Sequence, residues 1–180
     1  MYDIADGITM EVLYQKFYEN KSGDENNYSV CVLFTQGDNH YLFTGDLEEA
    51  GEKSLVESNP NLPEVELYKA GHHGSATSSN TVLLNKIKPK VVVASCAAGD
   101  QYKFPTQEFI NRVAPFTDKV YVTGMKTSGY GTGINGDVVF SCVNNQITIQ
   151  CSLSDTLLKD SAWFAANRTC PPEWSNSNEE

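Results

Sequence analysis

Short apolar runs rich in β-branched and aromatic residues recur along the chain and predict strands. They cover residues 8–18, 28–35, 40–44, 64–70, 90–96, 119–123, 137–141 and 146–152. Between these runs, apolar residues lie three or four positions apart, which is the spacing of a helix that buries one face. This spacing predicts helices over residues 47–57, 82–87, 106–114 and 156–167. Strands that alternate with helices predict a layered α/β domain in which helices cover a sheet.

Two polar clusters stand where predicted strands end, and they form the candidate site. Asp46 follows the strand at 40–44, and the run Gly-His-His-Gly at 71–74 follows the strand at 64–70. If these strands are neighbours, a carboxylate and imidazoles meet at one edge of the sheet, where open α/β sheets bind their ligands. This combination of donors is typical of a metal site.

Each cluster also has a simpler structural interpretation. Asp46 precedes a predicted helix, and aspartate is a preferred N-cap residue. Adjacent side chains on an extended chain point to opposite sides, so we expect one of His72 and His73 to face a ligand and the other to support it or face away. The flanking glycines favour the functional interpretation, because they permit positive φ and a close approach of the backbone.

Composition narrows the class of protein. The chain has 180 residues, 40% of them hydrophobic, which predicts one packed domain over residues 1–168 before a loose tail at 169–180. A net charge of −10 argues against bulk electrostatic binding of nucleic acid, but a metal ion could still mediate chemistry on a phosphodiester. The sequence has neither a membrane-length apolar run nor a signal-peptide pattern, and its five scattered cysteines are typical of a reducing compartment, so we expect a cytoplasmic protein.

The number of histidines limits any metal site. The chain contains three, and His40 lies in a hairpin return where we expect it to face solvent. Asp46, His72 and His73 are therefore the only clustered candidates. A mononuclear zinc site takes about three protein ligands and a dinuclear site about five or six. A full dinuclear site cannot be assembled from this chain alone.

Several segments between about Asn26 and Phe140 resemble a known family in their order and spacing. They are Tyr-Ser-Val-Cys-Val-Leu-Phe at 28–34, Thr-Gly-Asp-Leu-Glu at 44–48, Leu-Tyr-Lys-Ala-Gly-His-His-Gly-Ser at 67–75 and Pro-Lys-Val-Val-Val-Ala-Ser at 89–95. Together they resemble the second half of the metallo-β-lactamase-fold domain of ComEC-type competence proteins. The resemblance implies half of an αββα sandwich, and hydrolysis of a phosphodiester or related bond by a hydroxide that zinc or manganese activates.

The resemblance also implies roles for individual residues. Asp46 matches the metal-bridging aspartate of the family, and His72 matches its late histidine ligand. His73 is the alternative ligand and, with Asp46, a candidate catalytic residue. Asn26 matches an asparagine placed where other members of the fold have a further histidine ligand, and we expect Asn26 and Ser75 near the substrate.

Two departures from the family pattern leave two hypotheses open. The His-x-His-x-Asp-His cluster that supplies most of the family's metal ligands is absent, and Tyr102-Lys103-Phe104-Pro105 stands where many relatives have Tyr-Gly-His-Pro near the substrate. One hypothesis is a partial hydrolase, inactive alone, that needs a missing N-terminal half-domain. The alternative is a non-catalytic remnant or protein-interaction module, whose exposed sheet face a partner or a second copy of the chain would cover.

Overall fold

The computed structural model describes residues 1–98, 101–125 and 133–175. Within them, seven strands form one sheet in sequence order: β1 (Tyr2–Ala5), β2 (Ile8–Leu13), β3 (Cys31–Gln36), β4 (Asn39–Phe43), β5 (Leu67–Lys69), β6 (Val91–Ala98) and β7 (Val120–Met125). Strands β1 to β4 pair antiparallel, and strands β4 to β7 pair parallel. Parallel neighbours need crossover connections, and helices provide them here.

The helices are α1 (Glu49–Ser58), α2 (Thr81–Ile87), α3 (Gln107–Val113), α4 (Ala162–Asn167) and α5 (Pro172–Ser175). The first three connect the parallel strands and bury their apolar faces in the main core. That core joins strand residues Leu42, Tyr68, Val92 and Val122 to helix residues Leu55, Leu84, Ile87, Phe109 and Ile110. Burying each Leu, Ile or Phe side chain stabilises the fold by about 1.5–3 kcal/mol. The predicted α/β class is confirmed.

The other face of the sheet carries a hairpin formed by β8 (Val138–Val143) and β9 (Gln146–Cys151). Phe140 of the hairpin meets Tyr41 edge-on, with ring centroids 6.4 Å apart. A cavity of about 240 Å³ remains beside this contact, lined by Phe34, Gln36, Tyr41, Phe43, Leu67, Phe140 and Cys142. This face is therefore less completely filled than the face that the helices cover.

Two predicted elements are shorter than expected because a side chain caps a turn inside each. The strand predicted over 8–18 ends at Leu13, and the buried Gln15 accepts a hydrogen bond from the Phe17 N–H at the start of a 3₁₀ turn. The helix predicted over 156–167 is interrupted by Ser161, whose hydroxyl accepts from the Phe164 N–H and starts α4 there.

The tail predicted to be loose is packed as far as Ser175. Trp174 is only 2% exposed, its indole N–H donates to the Thr117 carbonyl at 3.0 Å, and its ring lies 5.6 Å from that of Phe164. A buried indole with a bonded N–H holds the chain against the domain. Residues 176–180 lie outside the described residues. No described helix is long and apolar enough to span a bilayer.

Candidate functional site

Strands β4 and β5 are parallel neighbours, which meets the condition on which the candidate site depends, and Phe43 lies opposite Lys69 in the register. Their carboxyl ends therefore lie together, and the chain beyond each end carries one polar cluster. The His72 N–H donates to the Gly45 carbonyl at 3.0 Å, which ties the two clusters to each other through the backbone. Asp46 and the histidines consequently share one edge of the sheet.

Asp46 does not cap α1. The helix begins at Glu49, its cap position is occupied by Glu48, and no side-chain hydrogen bond closes its first turn. The Asp46 N–H instead donates to the Ser29 hydroxyl at 3.0 Å, and its side chain is 38% exposed at the edge of the sheet. The carboxylate is therefore available to a ligand.

Residues Gly71–Gly74 form a tight 3₁₀ turn, which we call the histidine turn. His72 and His73 have φ of 43° and 60°, in the left-handed region that non-glycine residues seldom adopt. The prediction that one histidine faces a ligand while the other supports it or faces away assumed an extended chain, whereas the backbone is coiled here. Both rings line one cavity of about 430 Å³ together with Asp46. Strain of this kind occurs often at functional sites.

His73 is the histidine that faces Asp46. Its Nε2 lies 3.6 Å from Asp46 Oδ1, and its Nδ1 lies 2.7 Å from the Ser95 carbonyl oxygen. A carbonyl oxygen can only accept, so Nδ1 carries the hydrogen and the neutral ring presents the Nε2 lone pair to the carboxylate. Two acceptors that face each other are stabilised by a cation between them, either a metal ion or a proton on Nε2.

His72 belongs to a second group of contacts around Glu48. One Glu48 oxygen, Oε1, lies 3.2 Å from His72 Nδ1, and it accepts hydrogen bonds from the Thr77 hydroxyl at 2.9 Å and the Asn26 amide at 3.3 Å. The Asn26 backbone N–H donates to Asp24 Oδ1 at 2.9 Å, and this bond is the main cause that lowers the pKa of Asp24. His72 is thus oriented by a carboxylate, whereas His73 is oriented by a carbonyl.

The structure places the two residues expected near the substrate differently. Asn26 lies within the Glu48 group, where its side chain contributes to holding a carboxylate next to His72. Ser75 is buried, and its hydroxyl bonds with Thr77 at 2.9 Å rather than lining the cavity. His40 lies on β4 with its ring bonded to Thr35.

Sequence reasoning missed Glu48. Acidic residues at 48, 49 and 52 follow Asp46 closely, and nothing in their spacing says which one turns towards the histidines. The structure separates them clearly. Glu48 faces His72, Glu49 is exposed, and Glu52 is fully buried.

Glu52 and Arg112 hold the loop at 75–80 that follows the histidine turn, and we call them the clamp. The Glu52 carboxylate accepts from the backbone N–H groups of Ser79 and Asn80 at 2.6 and 2.7 Å. The Arg112 guanidinium donates to four backbone carbonyl oxygens of the loop, those of Ser75, Ala76, Ser78 and Ser79. Burial raises the pKa of Glu52 to about 7, although those N–H donors and Arg112 oppose the rise.

The far side of the cavity is formed by Ser95, Cys96 and Ala97 from β6 and by two rings from the following loop. Those rings, Tyr102 and Phe104, we call the aromatic wall. Phe104 stacks on His73 at an interplanar angle of 29°, and Tyr102 stacks on Phe104 at 20°. The cavity therefore has the polar side chains of Asp46 and the two histidines on one side and aromatic rings on the other.

The pair Asp46 and His73 fits a shared metal ion in part. Zinc bonds of about 2.0–2.1 Å in a tetrahedron place two ligand atoms about 3.3–3.5 Å apart, close to the observed 3.6 Å. A metal-bound histidine commonly donates its other N–H to a carbonyl, as His73 does. Among residues 1–98, 101–125 and 133–175, however, no three or more His, Cys, Asp or Glu side chains converge on one metal position. The described residues thus offer two candidate ligands and lack a complete set.

Comparison with known proteins identifies the class to which this arrangement belongs. Residues 22–98 match the model of the metallo-β-lactamase superfamily, and that range includes Asp46, the histidine turn and β6 as far as Ala98. The sheet with its helices is consistent with that fold.

Relatives narrow the class further, because the chain is similar to competence proteins of the ComEC type within this superfamily. It is 36% identical to Competence protein ComA of Neisseria gonorrhoeae over 132 residues, which are 73% of this chain and 19% of that protein. It is 27% identical to Recombination protein 2 of Haemophilus influenzae over 141 residues, or 78% of this chain and 16% of that protein. ComE operon protein 3 of Bacillus subtilis is 30% identical over 86 residues, or 48% of this chain and 11% of that protein. The chain thus matches less than a fifth of the length of each relative.

Proposed function

We propose that this chain supplies one half of the active site of a metal-dependent hydrolase that cleaves a phosphodiester or a related bond. The proposal is supported by the distance of 3.6 Å between Asp46 Oδ1 and His73 Nε2. It is also supported by the His73 Nδ1–H, which donates to the Ser95 carbonyl oxygen. When bound, zinc or manganese would lower the pKa of a water molecule and supply a hydroxide nucleophile. The chain's own residues hold two ligands in the required tautomer at a solvent-accessible edge.

The proposal makes His73 the metal ligand that acts with Asp46. His72 then takes the supporting position, because its Nδ1 faces the Glu48 carboxylate in a group that includes Thr77 and Asn26. This assignment favours the alternative that the family resemblance ranked second. It applies to one ion, since the two donors together satisfy half of a tetrahedral shell.

The remaining ligands would come from a half-domain that carries the His-x-His-x-Asp-His cluster. A second sheet of that kind would pack on the hairpin side of this sheet, where a cavity of about 240 Å³ is lined by aromatic and aliphatic side chains. The chain by itself would be inactive, because two ligands hold zinc weakly. A second copy of the chain is the other candidate to cover this face, although it would bring no histidine cluster.

Zinc titration with and without such a half-domain tests the proposal. Affinity would be measured by competition with a coloured chelator, and hydrolysis would be followed with bis(4-nitrophenyl) phosphate. We expect the chain alone to bind zinc weakly and the complemented protein to bind it at least about 10-fold more tightly. Tight binding of two zinc ions by the chain alone, or no gain on complementation, would contradict the proposal.

Single substitutions locate the ligands within the complemented protein. We expect Asp46→Asn and His73→Gln each to weaken zinc binding by about 10- to 100-fold or more, because each removes a ligand atom or its charge. His72→Gln should have the smaller effect of a supporting group. His40→Gln is the matched control, since His40 is bonded to Thr35 on β4. If His72→Gln weakened binding more than His73→Gln, the ligand assignment would be reversed.

The interaction-module hypothesis predicts a different result from the same variants. It is supported by the partly filled hairpin side of the sheet, which a partner protein could cover without any chemistry. In that case Asp46→Asn and His73→Gln would leave half-domain binding unchanged, and zinc would have no effect on it. Zinc-dependent association that both variants abolish would favour the hydrolase.

A further inference from the structure

The aromatic wall connects the metal-ligand pair to the surface through a row of three rings. His73, Phe104 and Tyr102 follow one another with centroid separations of 6.1 and 5.6 Å and nearly parallel planes. These values are those of offset stacking. Phe104 at 9% exposure is buried, whereas Tyr102 at 63% exposure stands at the mouth of the cavity. The row therefore reaches solvent at the largely exposed Tyr102, which lines the same cavity as Asp46 and His73.

The loop that carries the aromatic wall is fixed by Arg168. Its guanidinium donates to the carbonyl oxygens of Lys103 at 2.6 Å and Pro105 at 2.8 and 2.9 Å, on either side of Phe104. The same guanidinium lies 4.7 Å from the centroid of the Trp163 ring. Because Arg168 holds the residues on both sides of Phe104, the Phe104 ring is already in position before any ligand binds.

The character of this wall depends on Phe104, which stacks between His73 and Tyr102. A phenyl ring can neither donate a hydrogen bond nor carry a charge. It can present a flat apolar face, and here it also supports the ring of Tyr102.

We propose that Tyr102 and Phe104 form a subsite for a planar ring, so that the cavity takes ring-bearing phosphodiesters in preference to alkyl ones. The proposal rests on the proposed function for the identity of the ester, while the ring preference belongs to the wall alone. The ester would lie towards Asp46 and His73, and its ring would lie against the exposed Tyr102. The cavity of about 430 Å³ has room for both parts of such a ligand.

Stacking provides the physical basis for this preference. Aromatic pairs are worth about 0.5–1.5 kcal/mol beyond simple area burial, and a pre-positioned ring loses little conformational freedom on binding. A solitary exposed tyrosine would need no explanation. Tyr102 differs because it stacks on a row of rings that leads to Asp46 and His73, and because the loop that carries the row is anchored by Arg168.

Binding of matched probes tests the subsite. Methyl phenyl phosphate and dimethyl phosphate carry the same charge and differ by one ring, and thymidylyl-thymidine offers nucleobases as the ring source. Each would be titrated into the ¹⁵N-labelled chain, alone and with the zinc-loaded half-domain, and followed by NMR shifts of residues lining the cavity. We expect methyl phenyl phosphate to bind about 3- to 10-fold more tightly than dimethyl phosphate. A similar gain for thymidylyl-thymidine would identify nucleobases as an accepted ring.

Variants of Tyr102 assign the preference to the wall. Tyr102→Ala should reduce the ratio between the two affinities to near one, and Tyr102→Leu should recover little of it because it restores area without a ring face. Tyr102→Phe should retain it. Equal affinities in the wild-type protein, an unchanged ratio in Tyr102→Ala, or no detectable binding of any probe with zinc present would each overturn the proposal.

The zinc titration keeps this result separate from the proposed function. Phe104 stacks between Tyr102 and His73, so Tyr102→Ala removes no proposed ligand atom and should bind zinc as the wild type does. A ring preference that disappears in Tyr102→Ala while zinc binding fails throughout would support the subsite and refute the metal site. The opposite pattern, with zinc binding intact and no ring preference, would refute the subsite alone.

Discussion

The two sides of the cavity are held in different ways. The histidine turn and the loop after it are fixed from the interior by the clamp, in which Glu52 is fully buried and Arg112 donates to four carbonyl oxygens. The aromatic wall is fixed from the surface, by Arg168 bonding to two carbonyl oxygens. The loop beside the proposed ligand atoms is thus anchored in the core, while the wall is anchored nearer the surface, where Tyr102 is largely exposed.

Gly74 is the point at which the two sides touch, and replacing it should have the largest effect. Its φ is +83°, and a Cβ added there would lie 2.9 Å from Pro105 Cβ and 3.3 Å from Pro105 Cα. Neither atom belongs to a flexible side-chain end. We expect Gly74→Ala to lower the free energy of unfolding by about 3–4 kcal/mol, the sum of left-handed strain and overpacking, as measured by urea denaturation.

Gly7→Ala separates these two contributions. Gly7 has a similar φ of +71°, but a Cβ there would meet no atom within 4 Å. The control should therefore cost about 1–2 kcal/mol, which is the strain alone. Equal losses for the two variants would mean that the contact with Pro105 is unimportant and that the two sides are not pressed together.

The buried carboxylate of the clamp should make stability depend on pH. Burial raises the pKa of Glu52 from 4.5 to about 7, so the fold favours its protonated form. The resulting stabilisation is complete below pH 4.5 and is lost as pH rises through 7. A shift of about 2.5 units corresponds to about 3 kcal/mol. Urea midpoints measured from pH 4 to 8 should show this decline on top of other titrations.

Glu52→Gln isolates that contribution, because glutamine cannot ionise. Between pH 4.5 and 7, the free energy of unfolding of the variant should rise relative to the wild type by about 3 kcal/mol. Glu57→Gln on the same helix is the control, since Glu57 is exposed with one ion pair to Lys53 at 4.0 Å. A difference between Glu52→Gln and wild type that is the same at every pH would show that Glu52 has an ordinary pKa.

The sequence predicts the positions of Asp46 and the histidines well because strand ends are set by local pattern. The alternation of apolar runs and helical spacing places both clusters beyond parallel strands, and the pairing of β4 with β5 brings them to one edge. Their orientation could not be predicted in the same way. Both histidines have positive φ, and the turn that carries them is held by tertiary contacts such as the bond from the His72 N–H to the Gly45 carbonyl.

The structural roles of Glu52, Arg112 and Arg168 could not be predicted from the sequence for a related reason. Charged residues on helices usually face solvent, and nothing in the spacing marks a glutamate that is fully buried or an arginine that reaches a distant loop. Arg112 contacts residues more than 30 positions away, and Arg168 contacts residues more than 60 positions away. Local periodicity carries no information at that range.

Replacing the arginine of the clamp should have the next largest effect on the free energy of unfolding. Arg112→Lys replaces a planar fork by one ammonium group, which cannot reach four carbonyl oxygens at once. We expect the free energy of unfolding to fall by about 2 kcal/mol, since the backbone carbonyl groups that lose their hydrogen bond to Arg112 are partly buried. Lys90→Met is the comparison, because it removes an ion pair with Glu66 in which the Lys90 side chain is 63% exposed. It should cost less than about 1 kcal/mol.

The aromatic wall should respond least, and Arg168→Lys tests whether it is held independently. A lysine loses the forked bonds to Lys103 and Pro105 and part of the contact with Trp163, in surroundings that are half exposed. We expect a loss of about 1 kcal/mol in the free energy of unfolding. NMR shifts of the loop at 101–105 should change while those of the histidine turn stay fixed.

The comparison between the two sides depends on that last pattern. If Arg168→Lys disturbed the histidine turn as strongly as the loop at 101–105, the wall and the ligand pair would form one unit through the stacking of Phe104 on His73. If only the chemical shifts of the loop at 101–105 change, the contact between Phe104 and His73 has little influence on the histidine turn. The cavity then combines a rigid pair of ligand atoms with a ring surface whose residues can change without moving them, so that substrate preference and ligand geometry are set by separate parts of the fold.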